Sequence, residues 1–329
     1  MKMDELIAGF PAQLKEAVEI GKSAQINAPS NPIQNVLISG LGGSGIGGKI
    51  VAQLVSDSIA VPVTINNDYA IPAFVNENTL VIISSYSGNT EETLAAMEQA
   101  LAKNAEVACI TSGGRVLEIA KEKGLNHIVI PGGNPPRACL GYSLTQQFYL
   151  LHNYGLIDDS FENQLTAAIA QLERENDSIK QRAEKVANLL YGKTPVIYAE
   201  AASEGLAVRF RQQLNENSKT LCWHHVFPEM NHNELVGWAG GSEKLAVLIF
   251  RNESDYSRTQ VRMNISKEIF AKYTNTIIEL PSKGNSAIES SLYLIYLGDW
   301  ISLYLAWKNE ADPIEIEVID YLKSSLSKV

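Results

Sequence analysis

Cysteine is scarce in this chain of 329 residues. Cys109, Cys139 and Cys222 are odd in number and form no C-x-x-C pair, which excludes a disulfide framework and a zinc ribbon. Positive charge is also in short supply. Lys and Arg number 27 against 37 Asp and Glu, a net charge of −10, so the chain lacks the basic face that nucleic acid requires. No long apolar run is present either. The longest apolar tract, 291–307, is interrupted by Gly298 and Asp299, too short and too broken for a membrane span. The first twenty residues are polar and amphipathic and lack the apolar centre of a signal peptide, so a cytoplasmic location is expected. What is left is an ordinary globular composition, 45% hydrophobic and 19% charged, at a length sufficient for two domains with their own cores.

Against this background stands Val36-Leu-Ile-Ser-Gly-Leu-Gly-Gly-Ser-Gly-Ile-Gly-Gly48, an apolar strand running into a glycine-rich turn with one serine, Ser44. A helix is expected to follow, starting at about Lys49. Glycines let backbone approach an anion without Cβ clashes, and a helix start presents unpaired N–H groups with partial positive charge. No Gly-Lys-Ser/Thr follows at P-loop spacing, so this is not a nucleoside triphosphate loop. Gly40-Leu-Gly42 with Gly45 loosely matches a dinucleotide fingerprint.

A second segment repeats the arrangement. Leu80-Val-Ile-Ile-Ser84 reads as a buried parallel strand, and Ser85-Tyr-Ser-Gly-Asn-Thr-Glu-Glu-Thr93 follows it. Ser85, Ser87, Thr90 and Thr93 surround a Gly-Asn turn at a helix start, with Thr90 as the expected N-cap. Either loop by itself fits ordinary turn chemistry. Two such loops after two parallel strands favour a phosphomonoester site built from neutral hydroxyls and backbone N–H groups.

The first half alternates strands, read at 36–39, 61–66, 79–84, 106–111 and 127–130, with helices at 46–55, 91–103 and 116–123. A long helix follows at 140–154, then a polar helical stretch at 160–190. Short βαβα spacing implies a parallel sheet covered on both faces. The second half reads as a degenerate copy. Strands at 195–200, 245–250 and 276–280 correspond to 36–39, 79–84 and 127–130, and a helix at 206–215 follows the first of them. Residues 201–205 replace the glycine turn, 251–256 replace the Ser/Thr loop, and the helix ending at Trp307 parallels the one ending at Tyr154. The expected organisation is an α/β protein with a phosphate-binding domain at 1–155, a helical linker at 156–190 and a degenerate domain at 191–329. Ligand then belongs at the carboxyl ends of the first domain's strands.

Leu41-Gly-Gly-Ser-Gly45 followed by Ser85-Tyr-Ser-Gly-Asn-Thr90 resembles the sugar isomerase (SIS) domain, a flavodoxin-like α/β/α sandwich that binds phosphosugars. Pro135-Pro-Arg-Ala138 with Gly141-Tyr142, Asn215-Glu-Asn217, and Pro228-Glu-Met-Asn-His-Asn-Glu-Leu-Val-Gly237 narrow the resemblance. Together they resemble the bifunctional phosphoglucose/phosphomannose isomerases, from about Gly40 to Lys323. The resemblance implies two tandem SIS domains, with phosphate held by Gly43, Ser44, Ser85, Ser87 and Thr90. It also implies aldose–ketose isomerisation of fructose 6-phosphate with glucose 6-phosphate and mannose 6-phosphate through a cis-enediolate.

That chemistry needs a base, a fixed positive group and a ring opener, roles that suit a carboxylate, an arginine and a histidine. Arg137 sits in a proline-flanked turn after a strand end, where a substrate could meet it, and the resemblance makes it the arginine beside the C1 and C2 oxygens. Glu216 ends an amphipathic helix, where the dipole disfavours it; the resemblance makes it the proton-shuttling base. The resemblance assigns ring opening to His232, with Lys323 assisting, and implies a homodimer in which His232 arrives from the neighbouring subunit. Lys49 departs from the expected acidic residue after the glycine turn. His224, His225, His232, Glu229 and Glu234 match no common zinc spacing, so neither a metal nor a cofactor is expected.

Three other functions compete. A non-catalytic phosphosugar sensor would bind without needing Arg137, Glu216 and His232 together. A glutamine-dependent aminosugar synthase would require an amidotransferase domain with an N-terminal cysteine. A nicotinamide dehydrogenase rests only on the loose glycine spacing, and no acidic residue follows the second strand at the expected point unless Asp68 is pressed into that role.

Overall fold

The structure is a computed structural model that describes residues 2–326 and residue 328. Two helices, α1 (Met3–Ala8) and α2 (Phe10–Ser23), open the chain. A first unit follows: β1 (Asn35–Ser39), α3 (Gly42–Leu54), β2 (Val63–Asn66), β3 (Thr79–Ser85), α4 (Glu91–Ala102), β4 (Glu106–Thr111), α5 (Gly114–Glu122), β5 (Asn126–Val129) and α6 (Leu140–Asn153). The long helix α7 (Ser160–Leu190) leads to a second unit. That unit comprises β6 (Thr194–Glu200), α8 (Glu204–Glu216), β7 (Trp223–Phe227), α9 (Glu234–Gly237), β8 (Leu245–Arg251), α10 (Ser257–Phe270), β9 (Ile277–Pro281) and α11 (Ala287–Lys308). Helix α12 (Glu317–Leu326) closes the chain.

Each unit carries one parallel sheet. The first has strand order β2-β1-β3-β4-β5, and the second has β7-β6-β8-β9. In the first sheet the order reverses between β1 and β3, which opens a crevice at their carboxyl ends. The glycine turn leaves β1 there and the Ser/Thr loop leaves β3. All seven residues of β3 are buried, as expected of a strand covered on both faces.

Residues of both units share one apolar core. Helices α2, α3, α6, α7, α8 and α11 contribute to it together with the inner faces of both sheets. The outer face of the first sheet is covered by α4 and α5 through Met97, Ala100, Val116 and Ile119. Met263 and Phe270 of α10 and Trp238 cover the outer face of the second. Helix α7 is polar on average, yet Phe161, Leu165, Ala168, Leu172, Ile179, Ala183, Val186 and Leu190 form a buried stripe along it. It packs lengthwise against α11.

Several local expectations are corrected. The helix after β1 starts at Gly42 rather than near Lys49, so the glycines lie inside its first turns. Propensity argues against this, but packing demands it: a Cβ on Gly45 would lie 2.2 Å from the Gly40 carbonyl oxygen. Strand β9 adjoins β8 as β4 adjoins β3, so it matches β4 and not the strand at 127–130. Strand β7 was not anticipated. It lies at a sheet edge with Trp223 exposed and His224 and His225 half-buried, so it carries no apolar run.

The carboxyl ends of β6 and β8 show what stands where the first unit has its glycine turn and Ser/Thr loop. A cavity of about 230 Å³ is lined there by Glu200, Asn252 and Asp255, with α3 residues opposite. Glu200 accepts a hydrogen bond from the Tyr256 N–H at the start of α10, at 2.9 Å, and Asp255 accepts from the Asn252 N–H at 2.8 Å. Two carboxylates thus occupy the position equivalent to the glycine turn and the Ser/Thr loop. Burial, reinforced by Glu200, pushes the Asp255 carboxyl up from 3.8 to about 6.

In the window between those two values the folded chain holds a proton that the unfolded chain releases. The stabilisation from this group is therefore full below the unfolded value and lost as pH rises through about 6. Asp255→Asn is expected to remove that loss. Thermal melts between about pH 4 and pH 6.5 would show a flatter stability profile than the wild type, and parallel profiles would contradict the assignment.

Candidate active site

The first part of the site is the start of α3. Its N-cap is Leu41, and no side chain caps it; the Ser44 and Gly45 N–H groups donate to the Leu41 carbonyl at 3.1 Å each, so the helix starts on backbone bonds alone. Ser44 ties this turn to the loop after β3. Its hydroxyl accepts from the Tyr86 N–H at 3.0 Å, and its carbonyl accepts from the Ser84 hydroxyl at 3.2 Å. In that second loop Ser85 donates to the Thr90 hydroxyl at 3.2 Å, and the Ser87 hydroxyl accepts from the Asn89 N–H at 3.3 Å. Ser44 and Ser85 are buried, Thr90 is half-buried and Ser87 is exposed, a gradient from frame to rim. Thr90 occupies the N-cap position of α4, but its side chain makes no capping bond; it serves the loop instead. Gly88 adopts φ +68, and a Cβ there would lie 1.8 Å from the Gly113 carbonyl oxygen, so the turn admits only glycine.

The second part abuts the first. A Cβ on Gly43 would meet the Pro136 carbonyl oxygen at 2.9 Å and the Arg137 nitrogen at 3.2 Å. The glycine turn and the Arg137 turn are thus in backbone contact. Arg137 lies in a 3-10 turn, Pro136–Ala138, and its side chain is only 3% exposed. Its Nε donates to Asn217 Oδ1 at 2.8 Å, and its Nη2 donates to the carbonyls of Pro313 and Ile314. Nη1 faces Glu216 Oε2 at 3.4 Å. Burial pulls the Arg137 guanidinium below its ordinary value, and Glu216 opposes that shift. Glu216 keeps a side chain 28% exposed, so one edge of this ion pair is open.

Glu216 is the last residue of α8, where the exposed carbonyls repel a carboxylate. Lys219 offsets this. Its ammonium donates to the carbonyls of Glu216 and Asp312 at 2.7 Å each and of Glu315 at 2.8 Å. The strap preceding α12 is therefore held by Arg137 and Lys219 together. Behind Arg137, the buried Arg209 donates to the Arg137 carbonyl at 2.7 Å and pairs with Asp299 at 3.0 Å, and Gln213 donates to Asp299 at 2.8 Å.

The remaining expected residues are not drawn into this cluster within one chain. His232 is exposed in a 3-10 turn, Glu229–His232, beyond β7. Lys323 is exposed on α12. Neither forms a hydrogen bond or ion pair with Arg137 or Glu216. Lys49 pairs with Glu204 at 2.7 Å and so leans toward α8 rather than toward the hydroxyl loop.

Asn217, Lys219, Arg209 and Asp299 were missed from the sequence. Asp299 left a signal: a carboxylate inside an apolar helix tract needs a buried cationic partner, and Arg209 supplies it. Chemically, the arrangement offers an anion cradle, and about one side-chain length away a fixed guanidinium edge beside a carboxylate.

Comparison with known proteins adds a separate line of observation. A family model described as "SIS domain" matches residues 32–149, and one described as "Bacterial phospho-glucose isomerase C-terminal SIS domain" matches residues 179–326. A bifunctional phosphoglucose/phosphomannose isomerase of Caldicellulosiruptor bescii is 39% identical over 337 residues, covering 99% of each chain. The Aquifex aeolicus protein described in the same words is 37% identical, over 90% of this chain and 92% of that one. Among solved structures, a hypothetical protein of Thermus thermophilus superposes with a TM-score of 0.78 at 16% identity, covering 98% of this chain and 90% of that one, a likeness of fold.

Proposed function

The chain belongs to the bifunctional phosphoglucose/phosphomannose isomerase family, and on that premise we propose that it interconverts fructose 6-phosphate with glucose 6-phosphate and mannose 6-phosphate. The observation that carries the reading is the Arg137–Glu216 pair, 3.4 Å apart, with the Arg137 turn in backbone contact with the glycine turn. The phosphate is held by the N–H groups at Gly43 and the hydroxyls of Ser44, Ser85, Ser87 and Thr90. The opened sugar then extends toward Arg137. Glu216 takes the C2 proton of the aldose. The C–H electron pair forms the C1–C2 double bond, and the C1 carbonyl becomes an enediolate oxygen facing Arg137 Nη1. The hydroxyl proton passes from O2 to O1, and Glu216 returns its proton to C1, giving the ketose. In reverse, proton delivery to either face of C2 yields the glucose or the mannose epimer.

In this reading the anion site lies in a phosphate-binding half at 1–155, joined by a helical segment at 156–190 to a half at 191–329 that carries Glu216, His232 and Lys323. We place the protein in the cytoplasm, with its phosphosugars. We further propose that the working unit is a homodimer in which His232 of one copy opens the ring in the site of the other, with Lys323 assisting. Two features support this. His232 is exposed and forms no hydrogen bond or ion pair with Arg137 or Glu216 of its own chain. Helix α12 also presents Val318, Tyr321, Leu322 and Leu326 at half exposure or more, an apolar face suited to a second copy.

Proton NMR with fructose 6-phosphate in EDTA tests the activity. The wild type is expected to produce both aldose phosphates, and Glu216→Gln to bind the substrate with no turnover. Binding without turnover by the wild type would leave a phosphosugar sensor instead.

Mixing Glu216→Gln with His232→Ala tests the shared site. Subunit exchange is expected to restore about a quarter of wild-type activity, because half of the dimers then hold one intact site. No recovery after verified exchange would contradict the shared site.

A further inference from the structure

Asn217 has no part in the reaction just described, yet it is fully buried directly after Glu216, at the end of α8. Its Oδ1 accepts from Arg137 Nε at 2.8 Å, and its Nδ2 donates to the Ser302 hydroxyl at 3.0 Å. Ser302 spends its own proton on the Asp299 carbonyl at 2.7 Å. This order fixes the amide. A flipped Asn217 would set its NH₂ against the Arg137 Nε–H and its oxygen against a hydroxyl already committed elsewhere.

A guanidinium has five N–H donors in one plane. Asn217 takes the Nε donor, and the Pro313 and Ile314 carbonyls take those of Nη2. Only the Nη1 edge is left, and it meets Glu216. The two strap carbonyls belong to an irregular segment, whereas Asn217 is rooted in the buried network of α8 and α11. That network also grips the backbone of Arg137, through Arg209 on its carbonyl.

We propose that Asn217 is a positioning residue of the isomerase: it sets the guanidinium plane of Arg137 so that Nη1 faces both Glu216 and the enediolate oxygen. Because Asn217 also follows Glu216 in the chain, one buried side chain fixes the spacing between the base and the positive group. The role rests on the isomerase reading given above. It concerns the transition state, since the phosphate is held by a different set of residues.

The test is a double-mutant cycle on kcat and KM for fructose 6-phosphate. Asn217→Ala is expected to lower kcat by about 30-fold or more while KM stays within about 3-fold. Asn217→Asp keeps the acceptor for Nε but turns its second oxygen toward a Ser302 hydroxyl committed to Asp299, so it is expected to lose less kcat than Asn217→Ala without reaching the wild-type value. In an Arg137→Lys background, which has no Nε donor, Asn217→Ala is expected to add little further loss.

An equal Asn217→Ala loss in both backgrounds would overturn the proposal, because it would mark a general structural role. So would wild-type kcat in folded Asn217→Ala, judged by its thermal melt. Asn217→Ser, whose hydroxyl is too short to reach Nε but which leaves a polar group at the site, is the second variant. It is expected to lose kcat as Asn217→Ala does, and wild-type kcat in that variant is equally fatal. A wild type that binds fructose 6-phosphate without turnover is a different outcome, which removes the isomerase reading itself.

Discussion

Burial of one guanidinium organises this molecule. Arg137 belongs to the first unit, but every acceptor its side chain reaches belongs to the second: Glu216, Asn217, Pro313 and Ile314. An arginine that is only 3% exposed has given up its water, and breaking a buried ion pair by removing one partner costs about 3–5 kcal/mol. The compensation requires the two units to dock in one register. The shared apolar core supplies the bulk attraction, which is non-directional. The polar network of Arg137, Arg209, Asn217, Asp299 and Ser302 supplies the direction.

The two halves repeat one topology and differ in what their strand ends carry. In the first, an uncapped helix start and a ring of hydroxyls leave room for an anion. In the second, Glu200 and Asp255 satisfy the local N–H groups and fill the equivalent place with negative charge. The two crevices thus differ in local charge, the second being acidic, in a chain that is acidic as a whole. The second unit contributes the end of α8 and the strap before α12. Lys219 holds these together through three carbonyls, so the helix that ends in a carboxylate also carries the cation that offsets its dipole.

Much of the architecture was legible in the sequence. The strand at Glu106–Thr111 and the helix at Ser160–Leu190 follow the expected bounds, because uninterrupted apolar runs and 3.6-residue stripes are strong local signals. The start of α3 departs from expectation because glycine propensity argues against helix, while the Gly40 carbonyl leaves no room for a Cβ at Gly45 and Ile38 of β1 leaves none at Gly48. Edge strand β7 was invisible because an edge needs no apolar run. For the site, Ser44, Ser85 and Thr90 could be read from turn chemistry, and they meet in one hydrogen-bonded frame. Arg137 and Glu216, 79 residues apart in the chain, could be paired only through family resemblance. Asn217 was part of the Asn215-Glu-Asn217 motif that carried the resemblance, but its role was not legible, since an amide after a helix resembles any other helix end. Its significance appears only once the partner of each N–H is counted.

Everything proposed for the site depends on where the substrate lies. The most direct measurement is a crystal structure of Glu216→Gln with fructose 6-phosphate bound. The phosphate is expected on the Gly43–Ser44 turn and the hydroxyls of Ser85, Ser87 and Thr90, with C1 and C2 between Arg137 Nη1 and residue 216. A phosphate bound elsewhere, or a sugar whose C1 and C2 point away from Arg137, would contradict that placement and the mechanism built on it.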